Sequence, residues 1–301
     1  MAPRTLSVPS GAPTRLDSLL ARALPGHTRE AIRALLEQGL VRVNGRQARV
    51  HRRLHGGETV ELTLPAPRRL ATVSGPPLRV LLDREDFLII DKPPGHPVEP
   101  ERGQVSIVEL AATQLGAFDV GGLAAPGVPH RLDKDTTGCL LLARTDAALV
   151  RLHAAFEAKG VDKRYLALVL GAPPDEGRLD TPYGRDPQDP RRYTTRVSSA
   201  RRARLGFQVR ERFPEGLALL EVHLETGRTH QIRAQLADLG FPLLGDPVYG
   251  QGPSPLLARV ALHAVRLGVA GPGSPVEAHA PIPDDLAQAL QALRRGGAAV
   301  R

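Results

Sequence analysis

Between His130 and Gly138 the chain reads His-Arg-Leu-Asp-Lys-Asp-Thr-Thr-Gly, which sets the carboxylate of Asp133 between two basic side chains, Arg131 and Lys134. Neighbouring positive charge favours the ionised form of an acid. An ionised carboxylate held in one place serves as a nucleophile or a base. The turn formers Thr136, Thr137 and Gly138 run into the apolar stretch Cys139 to Ala143, so Asp133 is expected on a loop at the mouth of a buried strand. A loop aspartate is ordinarily a solvated turn residue, and a partner elsewhere is needed to make it more. Glu225-Thr226-Gly227-Arg228-Thr229-His230-Gln231-Ile232-Arg233 offers one. Thr226-Gly227 ends a strand, and a helix carrying Ile232, Leu236 and Leu239 opens after it with a partly positive N-terminus. Arg233 there is a natural counter-ion for a buried carboxylate.

The elements that must position these residues follow from periodicity. Arg15 to Leu24 has Leu16, Leu19, Leu20 and Ala23 at helical spacing, and Thr28 can cap a second helix with Ile32, Leu35 and Leu36 on one face. Leu40 to Val43, the Asn44-Gly45 turn and Gln47 to Val50 read as a hairpin, with Thr59 to Leu62 as a further strand. Pro65 to Pro77 has no periodicity and reads as a linker. Strands are expected at Arg79 to Leu82, Phe87 to Asp91, Val161 to Val169, Ala203 to Val209 and Leu217 to Leu224. Helices are expected at Val105 to Leu115, Asp146 to Ala158 and Pro283 to Leu293. The divisions expected are a disordered start (1–13), a small unit (14–64), a linker (65–78), a large unit (79–293) and a disordered tail (294–301).

Composition limits what such a molecule does. An apolar content of 42% over 301 residues supports a packed core, and a net charge of +8 points to a polyanionic partner, nucleic acid before membrane. Nine arginines against three acids between Arg185 and Arg212 suggest an exposed basic arm. In the small unit Arg29 and Arg33 share a helix face, suited to phosphate contact. The single cysteine, Cys139, rules out an internal disulfide and fits a reducing cytoplasm. The start lacks a signal-peptide pattern, and no apolar run reaches the roughly 18 residues of a membrane span. Neither a dinucleotide fingerprint nor a phosphate-binding loop of the Walker type is present, and no cofactor or metal is expected.

His-Arg-Leu-Asp followed by Thr-Thr-Gly resembles the signature of the RluA-type RNA pseudouridine synthases. Three more stretches are similar to the same family: Lys163-Arg164-Tyr165-Leu166-Ala167, Thr226 to Arg233, and Gly245-Asp246-Pro247-Val248-Tyr249-Gly250. The order helix, helix, Gly39 to Gly45 hairpin resembles the S4-type RNA-binding module. The resemblance implies an α+β fold, with a mixed, mainly antiparallel central sheet, flanking helices and an RNA-binding cleft, preceded by a small S4-like domain. It implies that Asp133 is catalytic, that Arg233 pairs with it, expected as a bidentate contact, and that Tyr165 lies against the target base and can accept or relay a proton. Arg131 would fill the stack vacated by an extruded uridine. His130, Arg228, His230 and Gln231 are expected at the RNA, with Arg29 and Arg33. Departures occur at Glu99, where the family more often carries histidine, and at 270–274.

The expected reaction converts uridines of structured RNA, 23S ribosomal RNA before tRNA, into pseudouridine, by a monomer in the cytoplasm. Two other readings stand beside it: a non-catalytic RNA-binding or ribosome-assembly protein on the same scaffold, and a hydrolase that releases free uracil.

Overall fold

The computed structural model describes residues 4–8, 13–24, 29–49, 52–63, 69–214, 216–270 and 275–296. The expected tail beyond 296 and the departure at 271–274 lie outside them.

The N-terminal unit begins with β1 (Arg4–Ser7), β2 (Thr14–Arg15), α1 (Leu16–Ala23) and α2 (Arg29–Glu37), and continues with β3 (Val41–Val43), β4 (Arg46–Gln47), β5 (Arg53–Leu54) and β6 (Thr59–Leu62). Leu16, Leu20, Ile32, Leu35 and Leu36 leave the two helices on one side and pack with Val41, Val43, Val60 and Leu62 of the sheet. That face follows from the three- and four-residue spacing of the leucines. Strand β1 corrects the expectation of a disordered start, because Arg4 to Ser7 pair antiparallel with Leu62 to Thr59. An edge strand needs only backbone partners, so its sequence carries little periodic signal.

The larger unit holds β7 (Arg79–Asp83), β8 (Phe87–Lys92), α3 (Ile107–Gln114), β9 (Thr137–Ala143), α4 (Asp146–Glu157), β10 (Val161–Leu170), β11 (Glu176–Pro182), β12 (Gly184–Arg185) and β13 (Tyr193–Thr194). It continues through β14 (Arg202–Phe213), β15 (Leu217–Leu224), α5 (Gln231–Asp238), β16 (Leu262–Val269), β17 (Val276–His279) and α6 (Asp284–Arg294). Its main sheet runs β11, β14, β15, β10, β16, β9, β8, β7, with β17 also on β16. Ladders within it are antiparallel apart from β16 with β9, where His263 faces Thr137 and Ala264 faces Gly138. Side chains alternate along β10: Tyr165, Ala167 and Val169 enter the core under α3 and α5, and Leu166 and Leu168 enter the core under α6. Ser106 and Glu109 form a reciprocal cap that starts α3. Strands β11, β16 and β17 were not foreseen from the sequence; in β11 exposed and half-buried residues alternate, and no apolar run marks it.

The later part of the linker is docked rather than free. Leu78 N–H donates to Gln114 Oε1 at 2.8 Å and Gln114 Nε2 donates to Pro76 O at 2.9 Å. Among the described residues no helix is long and apolar enough to cross a membrane.

The junction of β9 with β16 sets the geometry of the site. Along one edge β16 follows β10; along the other it meets β9 only at its first residues, and β17 then takes over from Arg266 to Val269. Gly138, with φ at 106°, sits at that fork, and a Cβ there would lie 2.3 Å from Ala264 O. Only glycine lets the two backbones approach so closely. The turn carrying Asp133 is the segment immediately before this fork.

Candidate active site

The Asp133 turn is closed by Thr136 N–H, which donates to Asp133 O at 3.1 Å. Facing it is the first turn of α5. Its N-cap, His230, holds the left-handed backbone region (φ 55°, ψ 20°), which costs a non-glycine residue about 1–3 kcal/mol. Such strain is commonest where a side chain must be aimed.

Across this gap Arg233 Nη1 donates to Asp133 Oδ2 at 2.9 Å. The expected bidentate contact goes elsewhere: Arg233 Nε and Nη2 donate to the two oxygens of Asp246 at 2.7 and 2.8 Å. Asp246 takes the side-on pair of N–H groups, and Asp133 meets Nη1 alone. Asp246 also accepts from the N–H groups of Val248 and Tyr249. Its side chain is fully buried, that of Arg233 is 7% exposed, and that of Asp133 is 23% exposed. The triad is therefore graded from interior to surface, and of its three side chains that of Asp133 is the most exposed.

Burial works to raise the Asp246 carboxyl, but the Arg233 hydrogen bonds and charge, with the two N–H donors, outweigh it and hold it below the usual carboxylate range. Burial likewise works against the Arg233 charge, and Asp246 and Asp133 reverse this, so its net shift is upward. The cation is permanent at any working pH.

Tyr165, 6% exposed, lies in the same core cluster as Leu132. Burial foremost, then Asp133 and Cys139, push its phenol well above the ordinary range. The phenol therefore keeps its proton in the folded protein. His230 Nε2 lies 4.0 Å from Asp133 Oδ2 and its Nδ1 is 3.1 Å from Tyr249 Oη. Tyr249 Oη accepts from Tyr193 N–H at 2.7 Å, so its own proton is free for Nδ1, an arrangement that puts the imidazole proton on Nε2, toward Asp133. Burial lowers the His230 ring despite the opposing pull of Asp133.

Two residues expected at the RNA are instead part of the framework. His130 Nε2 accepts the Leu141 N–H at 3.0 Å, and its ring stacks on Phe156 at 4.8 Å. Burial, with Lys163 nearby, pushes that imidazole down to about 3, so it remains a neutral acceptor that ties the turn to β9. Gln231 is 2% exposed. Its amide oxygen accepts from Thr226 Oγ1 and Arg228 N–H, and its amide nitrogen donates to Arg204 O and Gln235 Oε1. Every hydrogen-bonding position is used inside the protein. Polar residues within a dense motif read as ligand contacts from sequence alone, whereas a buried amide in a full network orients a helix.

The remaining expected contacts are on the surface. Arg131 is exposed and pairs with Glu99 at 3.0 Å. Arg228 is exposed beside α5. Arg33 is exposed and pairs with Glu37 at 2.7 Å, while the side chain of Arg29 lies outside the described residues. The first part of the basic arm folds as the β12–β13 hairpin against the site. The rest corrects the expectation of an arm, since from Arg202 it is β14 of the main sheet, with Arg202, Arg204, Arg210 and Arg212 paired to acids. Tyr193 stacks on Tyr183 at 5.8 Å and meets His230 edge-on at 6.0 Å. Thr194 Oγ1 and Thr195 N–H both donate to Asp238 of α5.

Sequence reasoning passed over three residues of this site. Asp246 stood inside a quoted motif without a role. Lys92, fully buried, donates from Nζ to the carbonyls of Pro93, Lys134 and Thr136. Arg259 donates to Asp135 O at 3.2 Å. The available signal was slight: a lone lysine in a Lys-Pro-Pro-Gly loop, in a chain whose cations are nearly all arginine.

Residues 86–238 match the family model described as RNA pseudouridylate synthase, and residues 14–60 match the S4 domain model. An uncharacterised RNA pseudouridine synthase of Chloroflexus aurantiacus is 40% identical over 298 residues, covering 95% of this chain and 92% of that protein. The ribosomal large subunit pseudouridine synthase D of Nitrosomonas europaea is 37% identical over 302 residues, covering 96% and 87%. Among solved structures, human RNA pseudouridylate synthase domain containing 1 superposes with a TM-score of 0.59 at 23% identity, over 75% of this chain and 98% of that one, a likeness of fold.

Proposed function

The chain belongs to the RNA pseudouridylate synthase family, and from that premise we propose that it isomerises specific uridines of large-subunit ribosomal RNA, with Asp133 as its catalytic carboxylate. The observation that carries this reading is the graded triad, in which a buried Arg233, anchored by Asp246, holds one oxygen of a partly exposed Asp133. The relative from Nitrosomonas europaea is named for the ribosomal large subunit, and the S4 domain supports a structured RNA partner. Work on such a substrate suits a monomer in the cytoplasm.

The reaction breaks the N1–C1′ bond, turns the uracil while it is bound, and joins C5 to C1′; C5 loses its proton and N1 ends with one. Atoms and electrons balance without any co-reactant. Uracil departs as a resonance-stabilised anion, so a single carboxylate suffices where hydrolysis of a sugar–oxygen bond commonly uses two. Addition to C1′, addition to C6 and removal of the C2′ proton each use a carboxylate oxygen, and the Arg233 contact orients the one on Asp133. A base paired within RNA must first be swung out, and Arg131, exposed and two residues before Asp133, would occupy the space left behind. Tyr165 would then lie against the uracil.

Transcripts carrying tritium at C5 of uridine test this directly. The wild-type protein should release tritium at unchanged RNA mass, and Asp133→Asn should release none while still binding RNA. Free uracil in the supernatant would identify a hydrolase, and no release from any ribosomal RNA transcript would remove the assignment of substrate.

A further inference from the structure

Three successive carbonyl groups follow Asp133, and buried cations hold all of them. Lys92 Nζ reaches Lys134 O at 2.7 Å and Thr136 O at 3.1 Å, and uses its third N–H on Pro93 O at 2.9 Å. Arg259 Nη1 reaches Asp135 O at 3.2 Å and is shared with Val260 O at 3.0 Å and Leu262 O at 3.4 Å, while its Nε and Nη2 clasp the carboxylate of Asp285 on α6 at 2.7 and 2.8 Å. The Lys92 side chain is fully buried and that of Arg259 is 9% exposed. A buried ammonium with no carboxylate among its hydrogen-bond partners is costly, and a spacer of the same length without charge would fill the volume. What the charge adds is three strong donors at one point, matched to three acceptors. The cations come from far along the chain, Lys92 from the end of β8 and Arg259 from just before β16, and converge on one turn.

We propose that Lys92 and Arg259 are positioning residues for the reaction, a two-cation clamp on the peptide groups of 134 to 136 that fixes the direction in which Asp133 leaves the backbone. The inference rests on the reading of Asp133 as the catalytic group. The charged groups facing Lys92 are Asp133 and Asp135 from the turn and Arg259 from the other side of the clamp; burial dominates and brings the ammonium down to about 7, with the two acids opposing and Arg259 assisting. Asp285 lies on the outer side of the clamp, its side chain 42% exposed on the first turn of α6. It can be altered without opening the core.

Two variants and two readouts test the clamp. Lys92→Met removes all three donors, and Asp285→Asn weakens the hold on Arg259 from a partly exposed position; cooperative thermal unfolding of each variant establishes that it is folded before the readouts are compared. In single- and multiple-turnover assays kcat should fall by about 100-fold in Lys92→Met, the scale of a small misplacement of a reacting group, and by a lesser factor in Asp285→Asn, with KM for RNA unchanged in both. By hydrogen exchange, the amides of 134 to 137 should exchange about tenfold faster in each variant, as expected when one charge-assisted hydrogen bond is removed, with those of β15 unaltered. Exchange rates of the turn that match wild type in both variants overturn the clamp whether or not the protein acts on uridine. Unchanged kcat in folded variants also overturns it, whereas a wild-type protein without turnover but with the predicted exchange pattern would retain the clamp and discard only the proposed reaction.

Discussion

Arg233 divides its guanidinium between two carboxylates of unequal exposure, and that inequality separates the effects of removing them. Asp133→Asn leaves Arg233 in its bidentate pair with Asp246, so stability should change by only about 1 kcal/mol, the worth of one hydrogen bond, while turnover disappears. Asp246→Asn leaves a buried cation with a single partly exposed partner, a change that typically costs about 3–5 kcal/mol; urea denaturation of the two variants checks the contrast. The Asp246 carboxyl is held below its ordinary value in the folded protein, so its contribution to stability is complete above the unfolded value of about 3.9 and is lost as pH falls through the lower folded value. The acid limb of wild-type stability should therefore be steeper than that of Asp246→Asn, and equal limbs would rule out this role. At this scale the sequence revealed Asp133 and Arg233 through their motifs and charge. It could not reveal Asp246, Lys92 or Arg259, whose importance comes from hydrogen bonds made across 13, 42 and 124 positions.

Elements with strong periodicity were legible and those defined by their neighbours were not. The amphipathic helices α1, α2 and α6 and the apolar strands β8, β9 and β10 lie within a few residues of expectation. Strands β1, β11 and β17 were missed because pairing with β6, β14 and β16 defines them rather than an apolar repeat, and β16 was missed although it is largely apolar and buried. The fork of β9 and β16 depends on one residue. Gly138→Ala would put a Cβ against Ala264 O in a backbone conformation that alanine resists; overpacking alone costs about 1–3 kcal/mol, and here neither backbone can yield without moving the Asp133 turn. Thermal unfolding and tritium release should both decline, the second beyond what the drop in stability explains. In the N-terminal unit Arg33 stands exposed beside Glu37. Deleting residues 1–64 should weaken RNA binding and reduce the slope of log affinity against log salt by about one unit for each phosphate that the shortened chain no longer neutralises; an unchanged slope would show that the S4 domain does not grip the backbone.

For the whole molecule, composition and charge indicated a nucleic-acid partner, and the motif order indicated the α+β fold. The connectivity was not legible, because no local pattern shows that the sheet is completed out of order. Strand β16 lies between β10 and β9, near the middle, although in chain order it follows every strand except β17. During synthesis, therefore, the half containing β7, β8 and β9 and the half containing β10, β14 and β15 emerge with their facing margins unsatisfied, and they wait until residues 262–269 have been made. Non-local closure of this kind is slow, and unpaired margins invite association with other chains. A ribosome that stalls or terminates before that strand would release two sticky half-sheets rather than a weakened enzyme. Because the Asp133 turn borders the same seam, the pairing of Asp133 with Arg233 comes into being in the step that seals it.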